Sequence, residues 1–260
     1  MRIRLIQVDA FTKKTFGGNP AAVCPLERWL PDSVLQAIAT ENNLSETAYF
    51  VPKGDAFELR WFTPVAEIDL AGHPTLATAW VMINTLGIKR DKLVFHTKIG
   101  DTLVVTREGD RLAMDFPARP PAPRAIGDVA SALGAKPAEV MASARDGFAI
   151  FAREEDVRGL KPDMTKVAAL EGMGLIATAP GKDCDFVSRF FVPKHNIPED
   201  PVTGSAHTTL IPYWAKRLGK SELFARQVSA RGGEIWCRHR GERVTIAGQC
   251  APYLDGWIDV

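Results

Sequence analysis

The pattern of hydrophobic and polar positions predicts a chain rich in short strands. Residues 2–9 alternate between apolar and polar side chains, as a half-buried β-strand does. The Gly-Gly and Asn-Pro pairs within residues 15–23 predict a tight turn that leads into a short strand. Similar runs predict further strands at 46–51, 57–62, 93–96, 102–106, 112–116, 148–152, 175–178, 186–192, 227–230, 234–238 and 243–246.

Apolar residues at helical spacing predict three longer helices between these strands. The first opens at Pro31, with Asp32 or Ser33 as its N-terminal cap. The other two cover residues 73–86 and 205–218, and a shorter helix is predicted at 129–133.

A proline-rich segment interrupts the pattern near the middle of the chain. Residues 117–123 contain four prolines, which a regular helix or a central strand does not tolerate. This segment is the best candidate for a linker, so we expect two domains, 1–117 and 118–260. The last strand of the second domain can pack on the first.

The two halves repeat one arrangement. Arg60-Trp-Phe-Thr-Pro64 is followed by Ala71-Gly-His73 and a long apolar helix, and Arg189-Phe-Phe-Val-Pro193 is followed by Thr203-Gly-Ser205 and another. Two such blocks, in the same order and at nearly equal spacing, indicate an internal duplication. Duplicated halves typically face each other across a cleft, where a small ligand binds.

Composition argues against several classes of function. A formal charge of +1 gives no sign of a basic surface for nucleic acid or for an anionic membrane, although net charge leaves a small local basic patch open. The N-terminus is predicted as a strand, not a signal peptide, and no apolar run approaches the roughly 20 residues of a membrane helix. Four scattered cysteines without a C-x-x-C pair suit a reducing compartment, so we expect a cytoplasmic protein.

The chain offers no metal spacing and no phosphate-binding loop of a known type. It does place Gly72 and Gly204 at the starts of two predicted helices. The first turn of a helix exposes unpaired backbone N–H groups and the positive end of its dipole. The two turns therefore suit a substrate carboxylate, although plain turn geometry explains each glycine equally well.

Glu46 is the first candidate for acid–base chemistry. It lies where a predicted helix gives way to an apolar strand, and burial raises a carboxyl pKa towards neutrality. From the residues alone, an exposed or capping glutamate is the favoured interpretation, and Glu41 competes for the same role.

Three more polar residues cluster at the glycine turns. His73 and Ser205 occupy matching positions after the two glycines, and Asp200 precedes the second turn. A histidine there can donate to a ligand or move a proton. Local hydrogen bonds of His73 and helix capping by Asp200 and Ser205 are the competing interpretations.

Several motifs together resemble the PhzF (phenazine-biosynthesis-like) family. They span nearly the whole chain in family order, and their combination is highly specific. The motifs are Asp9-Ala-Phe11, Gly18-Asn-Pro-Ala-Ala-Val23, Asn43-Leu-Ser-Glu-Thr-Ala48, Arg60-Trp-Phe-Thr-Pro64, Ala71-Gly-His-Pro-Thr75 and Asp200-Pro-Val-Thr-Gly-Ser-Ala-His207.

This resemblance implies an α+β, diaminopimelate epimerase-like fold, with two pseudo-symmetric domains that each wrap a curved, barrel-like sheet around a central helix. It also implies a homodimer that needs no cofactor. Glu46 matches the family's general acid/base, and His73, Asp200 and Ser205 match its supporting polar residues. Gly72 and Gly204, with the neighbouring Ala71 and Thr203, match the turns that bind the substrate carboxylate.

The named enzyme of that family isomerises trans-2,3-dihydro-3-hydroxyanthranilate, so the resemblance implies a proton-shifting isomerase. An isomerase of another cyclic or unsaturated amino acid and a non-catalytic binding protein remain alternatives. Related epimerases use two opposed cysteines at these turns, where this chain has Ala71 and Pro201. A two-thiol epimerase is therefore disfavoured.

Overall fold

The computed structural model describes all residues from Met1 to Val260. The strands are β1 (Arg2–Ala10), β2 (Asn19–Pro25), β3 (Glu46–Lys53), β4 (Ala56–Phe62), β5 (Glu67–Ile68), β6 (Lys92–Thr97), β7 (Thr102–Glu108), β8 (Arg111–Pro117), β9 (Ala122–Pro123), β10 (Glu139–Ala142), β11 (Gly147–Ile150), β12 (Leu175–Pro180), β13 (Phe186–Val192), β14 (Ile197–Asp200), β15 (Glu222–Gln227), β16 (Gly233–Arg240), β17 (Arg243–Gly248) and β18 (Cys250–Asp259). The helices are α1 (Asp32–Asn42), α2 (Gly72–Trp80), α3 (Val129–Leu133), α4 (Glu154–Arg158), α5 (Met164–Ala169) and α6 (Gly204–Leu218). None of them is both long and apolar enough to cross a membrane.

The chain forms two compact units. Unit 1 consists of Met1–Asp115 together with Ala247–Val260, and unit 2 consists of Phe116–Ile246. β18 pairs antiparallel with β1 along its whole length, from Arg2 opposite Asp259 to Ala10 opposite Cys250. The end of the chain is therefore part of the sheet of unit 1.

Both units use the same order of strand pairings. In unit 1 the successive pairs β1–β2, β2–β3, β3–β4, β4–β6 and β6–β7 are antiparallel, parallel, antiparallel, parallel and antiparallel. In unit 2 the pairs β10–β11, β11–β12, β12–β13, β13–β15 and β15–β16 repeat this order. The duplication predicted from the sequence is confirmed.

Each unit has one buried helix on one face of its sheet. In unit 1 this helix is α2, which contacts β1, β2, β3 and β18, and every residue from His73 to Ala79 is buried. α2 has no residue with a permanent charge, which suits a helix that is surrounded by protein on nearly all sides. α1 packs Leu35 and Ile38 into a second apolar cluster that includes Leu5 of β1.

Unit 2 repeats this layered arrangement. Its buried helix is α6, which packs on β15 and β16. The short helices α3, α4 and α5 take the place that α1 has in unit 1. They bury Leu133, Val157 and Val167 in one cluster with Leu175 and Phe191 of the sheet.

Paired arginine and glutamate side chains hold the hairpins that lead to α2 and α6. Arg60 of β4 binds both carboxylate oxygens of Glu67 in β5, at 2.6 and 2.8 Å. Arg189 of β13 binds both oxygens of Glu199 in β14, at 2.7 and 2.8 Å. Bidentate pairs fix direction as well as distance, so each pair orients the chain just before a helix start.

Some local predictions were wrong. The strand expected at 227–230 lies earlier, at Glu222–Gln227, because Gln227 ends its pairing opposite Gly233. No side chain caps α1, since Pro31 occupies the N-cap and Asp32 pairs with Arg60 instead. The helix expected at 73–86 is α-helical only to Trp80 and continues as a π-helical turn.

Candidate active site

Glu46 lies at the junction of α1 and the sheet of unit 1. α1 ends at Asn42, Asn43 adopts a left-handed conformation at φ 49°, and Glu46 then begins β3 beside Ala21 of β2. Its side chain is only 12% exposed. The carboxyl group is thus withdrawn from solvent rather than displayed on the surface, whereas Glu41 is exposed.

His73 faces this carboxyl group from the start of α2. Its Nε2 lies 3.1 Å from Oε2 of Glu46, and the histidine side chain is 6% exposed. Burial lowers the pKa of His73 to about 3, so the ring is neutral near pH 7. The sequence predicted both residues, and the structure brings them into contact.

The tautomer of His73 follows from its second contact. The ring also hydrogen-bonds the backbone of Pro20, which accepts through its carbonyl because proline has no N–H. Since Nε2 faces Glu46, we assign this bond to Nδ1, which carries the single proton of the neutral ring. Nε2 is then the unprotonated nitrogen of the ring, and it lies 3.1 Å from Oε2 of Glu46.

The starts of α2 and α6 lack side-chain caps. Ala71 occupies the N-cap position of α2, and its methyl side chain cannot form a capping hydrogen bond. Thr203 occupies the N-cap position of α6, and its side chain forms no capping hydrogen bond to the helix. Gly72 and Gly204 are the first residues of the two helices. Side chains therefore leave the first N–H groups of both helices available to an anion.

Asp200 and Thr203 form a short contact in unit 2. Asp200 ends β14, and its Oδ2 accepts a hydrogen bond of 2.5 Å from the Thr203 hydroxyl. Asp200 therefore lies at the end of a strand, three residues before the N-cap, so the helix-capping interpretation considered for Asp200 does not apply.

Ser205 occupies the second position of α6, as His73 does in α2. It is partly exposed, and its backbone carbonyl accepts from the Thr208 hydroxyl at 2.7 Å. Because Thr203 is the N-cap, the capping role considered for Ser205 does not apply.

Known proteins resemble this chain over nearly its whole length. Residues 8–256 match the family model of the phenazine biosynthesis-like proteins, PhzC-PhzF. The chain belongs to this family. An uncharacterized isomerase of Pseudomonas aeruginosa is 51% identical to the chain over 259 residues, which is 99% of each protein. This PhzF-family protein is accordingly an isomerase.

Solved structures support the same assignment. A PhzF-family protein of Enterococcus faecalis superimposes with a TM-score of 0.95 at 46% identity, over 100% of both chains. A hydroxyproline epimerase of Agrobacterium vitis has a TM-score of 0.63 at 10% identity, over 99% of this chain and 92% of that one. The latter likeness shows the fold alone, and it confirms the α+β, epimerase-like fold that was predicted.

The cysteines of this PhzF-family isomerase lie outside the motifs described above. Cys24 and Cys237 are buried, and Cys184 and Cys250 are partly buried. Burial raises the pKa of Cys24 to about 12 and that of Cys184 to about 11, which keeps both as unreactive thiols. Ala71 and Pro201 stand where the resemblance implies the two cysteines of a thiol epimerase, and none of the four cysteines lies at either glycine turn.

Sequence reasoning missed two residues that shape these sites. Pro20 orients His73 through its carbonyl, and its only sequence signal was the Gly18-Asn-Pro turn. Gln227 contacts both Asp200 and Thr203, yet it was expected only as an ordinary strand residue. A glutamine in a strand carries no signature that reveals which loop it contacts.

Proposed function

We propose that this protein is a cofactor-independent isomerase that moves a proton between two carbons of a small unsaturated carboxylate. Glu46 is the acid/base. The observation that carries this proposal is the 3.1 Å contact between Glu46 and a buried, neutral His73.

The contact suits a carboxyl group that alternates between two protonation states. As a carboxylate, Glu46 takes a proton from a substrate carbon, and the double bonds shift along the conjugated system. The protonated carboxyl then donates its hydrogen bond to the lone pair of His73 Nε2. Glu46 finally returns the proton to a different carbon, so the substrate keeps its formula and no oxidant is needed.

The helix starts are proposed to bind the substrate carboxylate. In unit 1 the backbone N–H groups around Gly72, next to Ala71, lie beside His73 and hence close to Glu46. In unit 2 the corresponding N–H group is that of Gly204, next to Thr203, and Ser205 and Asp200 supply a hydroxyl and a carboxyl for the polar substituents of the substrate. An anion at a helix N-terminus gains from both the free N–H groups and the dipole.

The substrate class follows from the single acid/base. One carboxyl group that removes and returns a proton on the same side suits an allylic shift better than a stereochemical inversion. The first candidate is trans-2,3-dihydro-3-hydroxyanthranilate, the substrate of the named enzyme that the chain resembles. Other cyclic or unsaturated amino acids of similar size are the alternative substrates.

The test is proton exchange catalysed by wild type and by Glu46→Gln. A panel of such acids is incubated in heavy water, and deuterium uptake at each carbon is followed by NMR. We expect wild type to label one substrate at two carbons, and Glu46→Gln to lose about 10²–10⁴-fold in rate.

Glu41→Gln is the matched control, because Glu41 is an exposed glutamate five residues away on the same segment. It should keep the wild-type rate. Near-normal turnover by Glu46→Gln would refute the role of Glu46. Ligand-induced thermal stabilisation without any deuterium uptake would instead identify a binding protein.

We also propose that the enzyme is a cytoplasmic homodimer. The resemblance implies the dimer, and four free thiols suit a reducing compartment. Light scattering after size-exclusion chromatography measures the mass directly, and a 28.5 kDa species at assay concentration would contradict the dimer.

A further inference from the structure

Gln227 is a fully buried polar residue at the end of β15, with an exposed fraction of 1%. Its side chain makes three hydrogen bonds, all to the turn that carries Asp200. Oε1 accepts from the backbone N–H of Thr203 at 2.9 Å. Nε2 donates to the backbone carbonyl of Asp200 at 2.7 Å and to the Thr203 hydroxyl oxygen at 3.1 Å.

These bonds determine which way the amide faces. Oε1 must meet the Thr203 N–H, because that group only donates, and the two N–H bonds of Nε2 then point at two acceptors. The Thr203 hydroxyl oxygen receives one of them. Its own proton is therefore directed at Oδ2 of Asp200, 2.5 Å away. The result is one directed chain from Gln227 through Thr203 to Asp200.

Unit 1 shows that the scaffold does not need this glutamine. Thr97 ends β6 beside Leu59 of β4, as Gln227 ends β15 beside Ser188 of β13. The Thr97 hydroxyl accepts from the backbone N–H of Asp101, so it serves its own turn. Gln227 is thus particular to the unit that contains Asp200.

We propose that Gln227 is a positioning residue of the isomerase, which orients the Asp200 carboxyl through the Thr203 hydroxyl. The proposal rests on the function proposed above, in which Asp200 contacts the substrate. It assigns Gln227 no contact with substrate. Without the N–H donors of Gln227, the Thr203 hydroxyl can rotate. The Asp200 carboxyl can then turn away from the orientation in which it faces the substrate.

The structural test compares crystal structures of wild type and Gln227→Glu. Glutamate keeps the size of glutamine and the acceptor for the Thr203 N–H, but as a carboxylate it has no donor. We expect the contact between Thr203 Oγ1 and Asp200 Oδ2 to open beyond hydrogen-bonding distance. Gln227→Met provides a second variant without a new charge, should the glutamate variant fail to fold.

The kinetic test is a double-mutant cycle with Thr203→Val, read as kcat and KM on the substrate that the deuterium panel identifies. Gln227→Glu should lower kcat about 10–100-fold with the fold intact by circular dichroism, since small misplacements of a reacting group cost that much. In the Thr203→Val background the same change should alter kcat by less than about twofold. Thr203→Ser keeps the hydroxyl and should restore the dependence on Gln227.

Ser229→Ala is the matched control. Ser229 also contacts this turn, but its hydroxyl donates its single proton to the Pro201 carbonyl at 2.8 Å and not to the Thr203 hydroxyl. If Gln227 only stabilised the turn, Gln227→Glu and Ser229→Ala would lower kcat equally. Ser229→Ala should instead keep kcat within about threefold of wild type, the range expected of an independent site.

Three outcomes would overturn the proposal. They are an intact Thr203–Asp200 contact in the Gln227 variants, wild-type kcat in those variants, and additive effects of Gln227→Glu and Thr203→Val. If wild type labels no acid of the panel, the proposed function fails, and the crystal structures still decide whether Gln227 orients Asp200.

Discussion

Oε2 of Glu46 lies 3.1 Å from Nε2 of His73, in a place where both side chains are almost withdrawn from water. Burial keeps His73 neutral, so the pair is not a salt bridge between opposite charges. A hydrogen bond between the two side chains therefore requires a proton on the carboxyl group. The proposed acid/base role of Glu46 rests on this arrangement.

Acid should destabilise the protein through its two buried histidines. Burial lowers the pKa of His73 to about 3 and that of His207 to about 4, whereas an unfolded histidine titrates near 6.5. The unfolded chain therefore binds more protons below pH 6.5, and stability is lost as the pH falls from 6.5 towards 4. Each histidine should cost about 2 kcal/mol at pH 5 relative to pH 7.

Urea denaturation at several pH values measures this loss. His207→Phe removes one titrating group and should flatten the dependence of unfolding free energy on pH. His195→Asn, at an exposed histidine, is the control and should leave the slope unchanged. Equal slopes for His207→Phe and wild type would show that His207 is not responsible.

Gly18→Ala should be far more damaging than Gly54→Ala. Both glycines have left-handed backbones, at φ 60° and 58°, so alanine is strained at either position. A Cβ at Gly18 would also collide with the backbone carbonyl of Ala10, whereas a Cβ at Gly54 meets nothing within 4 Å. We expect a cost of about 1 kcal/mol at Gly54 and at least about 3 kcal/mol at Gly18.

Isomerase activity should fall with Gly18→Ala as well, because Gly18 adjoins the Asn19-Pro20 pair whose carbonyl orients His73. Thermal melting and turnover of the folded protein separate the two effects. Equal melting temperatures for the two variants would contradict the predicted collision.

Arg189→Lys should destabilise unit 2. The guanidinium binds both oxygens of Glu199 and also donates to the backbone carbonyls of Val157 and Leu160. A lysine ammonium cannot reproduce this planar set of donors, so we expect a loss of about 1–3 kcal/mol. Chemical denaturation measures it.

Arg153→Lys is the control for that experiment. Arg153 pairs with Asp156 on the surface, where its side chain is 71% exposed. Pairs of this kind contribute little, so the change should leave the denaturation midpoint nearly unchanged. A similar cost at both positions would mean that burial of the Arg189 pair does not matter.

Alkylation of thiols should leave catalysis unchanged. The four cysteines are buried or partly buried, and burial raises the pKa of each. Native protein treated with iodoacetamide near neutral pH should keep its rate of deuterium exchange. Complete inactivation, with mass spectrometry showing one modified cysteine, would restore the thiol mechanism that we reject.

Sequence alone named most of the candidate site residues, because they lie in short motifs at element boundaries. Glu46 was recognised at a helix-to-strand junction, and His73 and Ser205 at glycine turns, which are local features of the chain. The contact between Glu46 and His73 was not predicted. It depends on how β2, β3 and α2 pack, which no local pattern encodes.

Long-range pairing accounts for the other failures. Asp32, which was expected to cap α1, forms an ion pair with Arg60 of β4 instead. Gln227 reaches the Asp200 turn only because β15 lies parallel to β13. The short helices α4 and α5 bury single residues such as Val157 and Val167, too few to produce a helical period.

The pairing of β1 with β18 has a consequence for synthesis on the ribosome. Unit 2 is one continuous stretch of chain, so it can fold as soon as residue 246 has emerged. Unit 1 pairs β1 with β18, and the whole of unit 2 lies between these two strands in the sequence. Unit 1, which contains Glu46, therefore keeps one edge of β1 unpaired until β18 has been made, after the whole of unit 2.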